Sequence, residues 1–179
     1  MLEYVTFIRL FNRDGECFMM KEMKENDFIV SKTDLKGRIT YVNKIFIEMG
    51  EYSEKELLGK PHSIVRNPDT PKAVFKLLWN MVQAGDEIFA YVINKTKSGN
   101  DYWVYANVTP SLDSNGRTVG YYSVRRKPSS SALDIIKPLY SQMLSAERSG
   151  GVDAGTKVLT DLLHEKGMDY NELIITLQG

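Results

Sequence analysis

EIFAYVINKTKSGNDYWVYANVTPSLDSNGRTVGYYSVRRK, residues 87–127, reads as three strands and two turns. EIFAYVINKT (87–96), DYWVYANVTP (101–110) and TVGYYSVRRK (118–127) are β-branched and aromatic runs, and KSGN and DSNG between them are turn-forming. Runs so closely spaced pair as an antiparallel meander. Alternation then sorts the middle strand into two sets, Tyr102, Val104, Ala106 and Val108 on one face and Trp103, Tyr105, Asn107 and Thr109 on the other. The second set, extended by Tyr122, is too aromatic to be left in water. The C-terminal tail, the N-terminal segment or another protein must cover it.

Upstream, TPKAVFKLLWNMVQAG (70–85) predicts the one long core helix. Thr70 is placed as N-cap, Pro71 lies in the first turn, positions 74, 75, 77, 78, 81 and 82 are apolar, and Gly85 follows the end. SEKE (53–56) is a capping box for a short helix ending before Gly59. FIVSKTD (28–34) and GRITYVN (37–43) form a hairpin with Gly37 at its turn. Two strands, short helices, a long helix and three strands make an α+β fold: a five-stranded antiparallel sheet with helices on one face. Downstream, IIKPLYSQML, a break at SGGVDAG, TKVLTDLLHEKG and YNELIITL add amphipathic C-terminal helices. The chain divides into an N-terminal extension or cap (1–25), a sensor-sized domain (26–128) and a helical output or interaction segment (129–179). Residues 1–19 read either as a loosely attached extension or as an amphipathic cap helix.

Charge and composition exclude several classes. Lys+Arg and Asp+Glu are both 23, so no net field attracts nucleic acid. Cys17 is the single cysteine and His62 and His164 the only histidines, too few for a disulfide or a metal cluster. No apolar run reaches the roughly 18–20 residues that span a bilayer, and MLEYVTFIRLF is interrupted by Glu3 and Arg9 without a cleavage site. A cytoplasmic location is expected. No paired nucleophile and base stands out, so an enzyme is not expected.

Beside the core helix lies a rigid polar corner, PHSIVRNPDTPKAVFKLLW (61–79). Pro68 and Pro71 fix their own φ and bias Asn67 and Thr70 away from the α region. Arg66 can fork two hydrogen bonds to a phosphate or carboxylate, and Asp69 can orient Arg66 or accept from a sugar hydroxyl. A purely structural role is the alternative, with Asp69 capping the next helix and pairing Arg66. Trp79 is either a core aromatic or the flank of a bound ring, and His62 either a local hydrogen-bonding residue or a ligand contact.

The element order over residues 26–128 resembles a PAS domain. Within that family, residues 61–79 closely resemble the PH-x-x-V-R-H-P-D-M-P-K-x-x-F-x-x-x-W hallmark of the aerotaxis-receptor group. Asn67 stands where that group usually has histidine, a member of its cofactor cluster, and Thr70 where it usually has methionine. The resemblance implies a PAS fold, non-covalent FAD and redox sensing for energy taxis. It further implies cofactor contacts from Asn43, His62, Arg66, Asn67, Asp69, Trp79, Asn94, Tyr102 and Arg125. Of these, Asn94 matches an asparagine that reaches the flavin ring edge. Arg125 points either inward, where a cation would favour reduced flavin, or to solvent at a strand end; Asn43 is either a contact or an N-cap. Membrane and signalling segments usually follow the PAS domain in this group. A split type is therefore expected, signalling in trans to a methyl-accepting chemoreceptor at the inner membrane, with self-association through the sheet or tail helices as a further contact. A cofactor-free interaction module is one alternative. Haem or another small metabolite is a second, with His62 the only in-domain axial ligand. A light-driven cysteine adduct is not expected, because Cys17 lies outside the domain.

Overall fold

The computed structural model describes residues 7–11 and 17–179. In chain order it contains β1 (Phe7–Phe11), β2 (Cys17–Lys21), β3 (Ile29–Thr33), β4 (Ile39–Val42), α1 (Lys44–Gly50), α2 (Glu54–Leu57) and a 3-10 turn (His62–Val65). These are followed by α3 (Lys72–Ala84), β5 (Ile88–Lys95), β6 (Asp101–Leu112), β7 (Thr118–Arg126), α4 (Ser130–Lys166) and α5 (Tyr170–Gln178). The meander forms as expected, with β6 antiparallel to both β5 and β7. Its second turn is held by Asp113, whose Oδ1 accepts from the N–H groups of Asn115 and Arg117 at 2.8 and 2.9 Å, while Gly116 takes φ +75 that a side chain would oppose.

The sheet has seven strands rather than five, in the order β1-β2-β6-β7-β3-β4 with β5 on the free edge of β6. The added pair comes from the N-terminal segment, where β1 and β2 form an antiparallel hairpin in place of a loose extension or cap helix; residues 1–6 and 12–16 lie outside the described residues. β2 pairs in parallel with the start of β6 at Met20↔Asp101, on the stretch that β7 leaves open after Arg126↔Tyr105. Lys21, only 4% exposed, fastens this strand by donating to the α1 carbonyls of Glu48 (2.6 Å) and Met49 (3.2 Å). A cation at a helix C-terminus complements the helix dipole.

Helices occupy both faces. Tyr102, Val104, Ala106 and Val108 pair in register with Asn94, Val92, Ala90 and Ile88 and face α3 and the short helices. The opposite set, Trp103 and Tyr105 with Tyr91 and Ile93, is buried under α4 and α5. Tyr140 stacks obliquely on Trp103 (5.9 Å) and donates to the Tyr91 carbonyl at 2.6 Å. Each such aromatic removes roughly 150–250 Å² from water. Asn171 of α5 closes the free edge of β5, accepting from Phe89 N–H (2.9 Å) and donating to Glu87 O (3.0 Å). Tyr122 is not under these helices; it is half-buried beside Lys32, whose ammonium lies 5.7 Å above its ring.

α3 starts without the expected cap. Thr70 turns inward instead, where its hydroxyl accepts from Ile93 N–H at 2.9 Å. The cap arrives from α4: the Glu147 carboxylate accepts from the N–H groups of Lys72 (3.1 Å) and Ala73 (2.8 Å). A kink at Gly151 (φ 72, ψ −171) breaks α4 inside the predicted glycine stretch and lays Gly155 against Glu147. A Cβ on Gly155 would fall 2.6 Å from Glu147 Cγ, so only glycine leaves the carboxylate its place.

Candidate functional site

The proline corner is a backbone strap across β5. Arg66 forms an isolated antiparallel bridge with Asn94, and Asn67 N–H donates to Ile93 O at 3.3 Å. The restricted φ of Pro68 and Pro71 holds this segment extended, so its hydrogen bonds need little ordering. The strap also positions Arg66, whose guanidinium carbon lies over the Phe75 ring, 3.9 Å from its centroid.

Between sheet and α3 lies a cavity of about 200 Å³, more than ten times what one water needs. β5 contributes Val92 and Asn94, β6 Ala106 and Val108, and β7 Tyr121, Ser123 and Arg125. α3 forms the roof with Phe75, Leu78 and Trp79, and Trp79 meets Tyr121 edge-on at 5.4 Å. Gly37 sits at the mouth with φ +72, and a Cβ there would come 3.1 Å from the Trp79 ring. The charged side chains of the lining are Lys36, Arg66 and Arg125; no carboxylate contributes.

Arg125 is the chemical centre. It is 2% exposed, has no ion pair among the described residues, and leaves Nε and Nη1 without a partner. Nη2 donates to Ser31 Oγ and approaches His62 Nε2 at 3.2 Å, and the guanidinium lies 4.9 Å from the Phe46 ring centroid. Burial lowers its pKa to about 10, so it stays charged at neutral pH. Asn94, 4% exposed, likewise leaves its amide nitrogen unpartnered. His62 is pushed down to about 3, first by burial and then by the Arg125 charge, and is neutral. Ser31 Oγ accepts from Arg125 and lies 3.0 Å from Nε2, which makes Nε2 the acceptor of this chain. With a guanidinium facing it, Nε2 is not placed to bind a metal.

His62, Arg66, Trp79, Asn94 and Arg125 thus come together, with Arg125 inward rather than at a solvated strand end. Tyr102 stands beside Asn94 as its register partner but outside the lining; burial raises its hydroxyl pKa to about 12. Three further predicted contacts lie outside the lining. Asn43 is an N-cap: its Oδ1 accepts from Phe46 N–H (3.1 Å) and Val30 N–H (3.0 Å), and its amide donates to Phe28 O (2.7 Å). Asn67, 1% exposed, folds back to accept from Asp69 N–H at 2.8 Å, so its side chain shapes the strap. Asp69 is exposed beside the strap and does not pair Arg66. Ser31, Lys36, Phe75, Tyr121 and Ser123 were missed as lining residues. For Tyr121 and Ser123 the signal was available, since an inward Arg125 carries both with it by strand alternation.

The PAS family, described as PAS fold, matches residues 24–126. The aerotaxis receptor of Escherichia coli is 33% identical over 136 residues, covering 76% of this chain and 27% of that protein. The nitrogen fixation regulatory protein of Klebsiella pneumoniae is 28% identical over 97 residues, covering 54% of this chain and 20% of its own length. The chain therefore spans only about a quarter of these relatives. Among solved structures, the light state of the blue-light photoreceptor Aureochrome1 LOV aligns with TM-score 0.53 and 26% identity over 62% of this chain and 88% of that one. A PAS domain from Colwellia psychrerythraea aligns with TM-score 0.52 and 21% identity over 56% of this chain and 85% of that one. Strands β3–β7, the strap and the cavity wall fall within the matched residues, and the chain belongs to the PAS family.

Proposed function

We propose that the cavity holds FAD non-covalently and that the protein is a cytoplasmic redox sensor for energy taxis, signalling in trans to a membrane chemoreceptor of the methyl-accepting type. The observation that carries this is the buried, carboxylate-free Arg125 with two unpartnered nitrogens, next to the unpartnered amide of Asn94. Buried donors left without acceptors cost about 1–3 kcal/mol each, more when charged, and a flat ring edged with carbonyl oxygens would satisfy them. Aromatic and aliphatic walls from Val92, Leu78 and Trp79 suit the faces of such a ring. A bound flavin supplies a ring whose charge and proton state follow its oxidation state.

The chain's own residues turn that into a signal. Arg125 holds a fixed positive charge at the ring edge, and neutral His62 keeps a second cation out of the site. A change in ligand charge alters the pull on Arg125 and hence on the end of β7, which runs within five residues into α4. Gln178 and Ser129 tie this junction to α5, through Lys127 O (3.2 Å) and Leu177 O (3.2 Å). The tail is therefore the output element of the proposal. Among the described residues no helix is long and apolar enough to cross a membrane, and the likeness to the aerotaxis receptor supports output through a receptor of that type.

Mass spectrometry of the heat-released ligand tests the cofactor, and FAD is expected. FMN, haem or no ligand, even after incubation with FAD, overturns it. Co-purification with a methyl-accepting receptor tests the partner, with loss of α4–α5 expected to abolish it and undiminished capture by the truncated chain counting against the tail as output.

A further inference from the structure

α4 carries an acid where its own pattern calls for an apolar residue. Ile136, Tyr140 and Met143 are the buried stripe that seats its first half on the outer face of the sheet, against Trp103, and the steps of four and three place the next member at Glu147. Its carboxylate reaches the first turn of α3, the helix that roofs the cavity on the opposite face. That turn has no cap of its own: Pro71 offers no side-chain acceptor, and no acid stands in the first turn. Glu147 supplies both acceptors, Oε2 for Lys72 N–H and Oε1 for Ala73 N–H. Lys76 meets Asp153 of α4 at 2.7 Å one turn further on, but that pair is exposed and contributes little.

The first two turns of α3 carry Phe75 and Trp79 into the cavity lining, and the Arg66 guanidinium rests over the Phe75 ring. A helix start without a cap frays, and here fraying unseats the roof. We propose that Glu147 is a positioning residue of the cavity, through which ligand affinity and seating of the tail form one coupled equilibrium. This rests on the flavin reading of the cavity. A seated tail brings the carboxylate to α3 and holds the roof in the shape that receives the ligand; a bound ligand, by holding Phe75 and Trp79, keeps the N–H groups of Lys72 and Ala73 in place for Glu147. Linkage makes the two effects equal in size. The roof thus gives the cavity a path to the tail that does not pass through β7.

The test measures both directions on the full chain, with FAD as the probe. From the ligand-stripped state, Glu147→Ala should bind FAD about fivefold more weakly than wild type by quenching of flavin fluorescence, the value of one helix cap. Glu147→Gln keeps one accepting oxygen and should fall between them. The reverse direction is read from tryptic cleavage after Arg148, an exposed residue next to Glu147 whose peptide bond a protease reaches when α4 opens locally. Saturating FAD should slow that cleavage about fivefold more in wild type than in Glu147→Ala. A cap that only stabilises the fold leaves FAD slowing cleavage equally in both proteins, and that result overturns the coupling. So does Glu147→Ala binding FAD within twofold of wild type, which leaves the flavin reading standing. If the wild type binds no FAD, the flavin reading fails and the coupling with it.

Discussion

Replacing Arg125 by methionine separates a ligand site from a structural arginine by the sign of a stability change. Arg125 is 2% exposed, has no counter-ion among the described residues and leaves two nitrogens without a protein partner. A buried charge without a partner costs several kcal/mol, and each unsatisfied donor about 1–3 kcal/mol. Against this stand two retained contacts of Nη2, to Ser31 and His62, worth about 1.5–3 kcal/mol each for a charged donor. Methionine keeps an aliphatic stem of similar length but gives up the guanidinium's place over the Phe46 ring, worth about 0.5–1 kcal/mol. The balance favours the variant by about 2 kcal/mol, or roughly 4–8 °C in melting temperature for a chain of this length. With FAD at a hundredfold excess over its dissociation constant, the wild type gains about 2.7 kcal/mol and the variant little. Circular-dichroism melts should therefore show the variant above wild type without ligand and below it with ligand. A ligand-free variant that melts below wild type would refute the reasoning, since the Ser31–His62 contacts would then outweigh the buried charge and no ligand need be invoked.

Asn67→His restores the residue usual in the aerotaxis-receptor group, but it removes the acceptor for Asp69 N–H at a position 1% exposed. It should cost about 1–3 kcal/mol in urea unfolding without tightening FAD; unchanged stability with tighter binding would show the strap tolerates a ring. Glu147→Ala uncaps α3 from 75 residues away and should cost about 1 kcal/mol, with Gly155→Ala having a similar effect and the two together less than additive. Additive losses would mean that Gly155 acts elsewhere. His62 is neutral to about pH 3 when folded, but binds a proton near pH 6.5 when unfolded. Its contribution is therefore full above pH 6.5 and is lost as pH falls toward 3, at up to about 1.4 kcal/mol per unit, and His62→Gln should flatten that slope in urea titrations. Truncation after Lys127 exposes Tyr91, Trp103 and Tyr105 and frees the β5 edge at Phe89, so light scattering should show self-association. A stable monomer would count against it.

What was legible in the sequence is what short-range chemistry decides. The turns at Asp113–Gly116 and Asp34–Gly37 are built from residues within four positions of one another, and α3 shows its apolar stripe and terminal Gly85 directly. Alternation sorted β6 into its two faces, and the resemblance implied which of them turns inward. Other features depend on contacts distant in sequence. Thr70 has the chemistry of a cap, yet Ile93 captures its hydroxyl and Glu147 takes the vacated role. Nothing local to Lys36 places it in the lining, because the hydrogen bond from His62 N–H to Gly37 O joins segments 25 residues apart. Arg125 could be ranked inward or outward only once Ser31 and His62 were known to surround it. For Asn67 the hallmark identifies the strap, but only the fold shows its Oδ1 turned back on Asp69 N–H.

The burial of Trp103, Tyr91 and Tyr105 beneath α4 and α5 sets a threshold for any protein that approaches this face of the sheet. The resident helices are tethered, and tethering over short spans gives effective concentrations in the millimolar range. An incoming partner binds only the fraction of molecules whose tail has lifted, so a tail open one time in about a thousand weakens its apparent affinity about a thousandfold. The same arithmetic makes the face a gain control. A shift of about 1.4 kcal/mol in tail docking changes partner occupancy tenfold at low concentration, with no residue of the interface itself being altered.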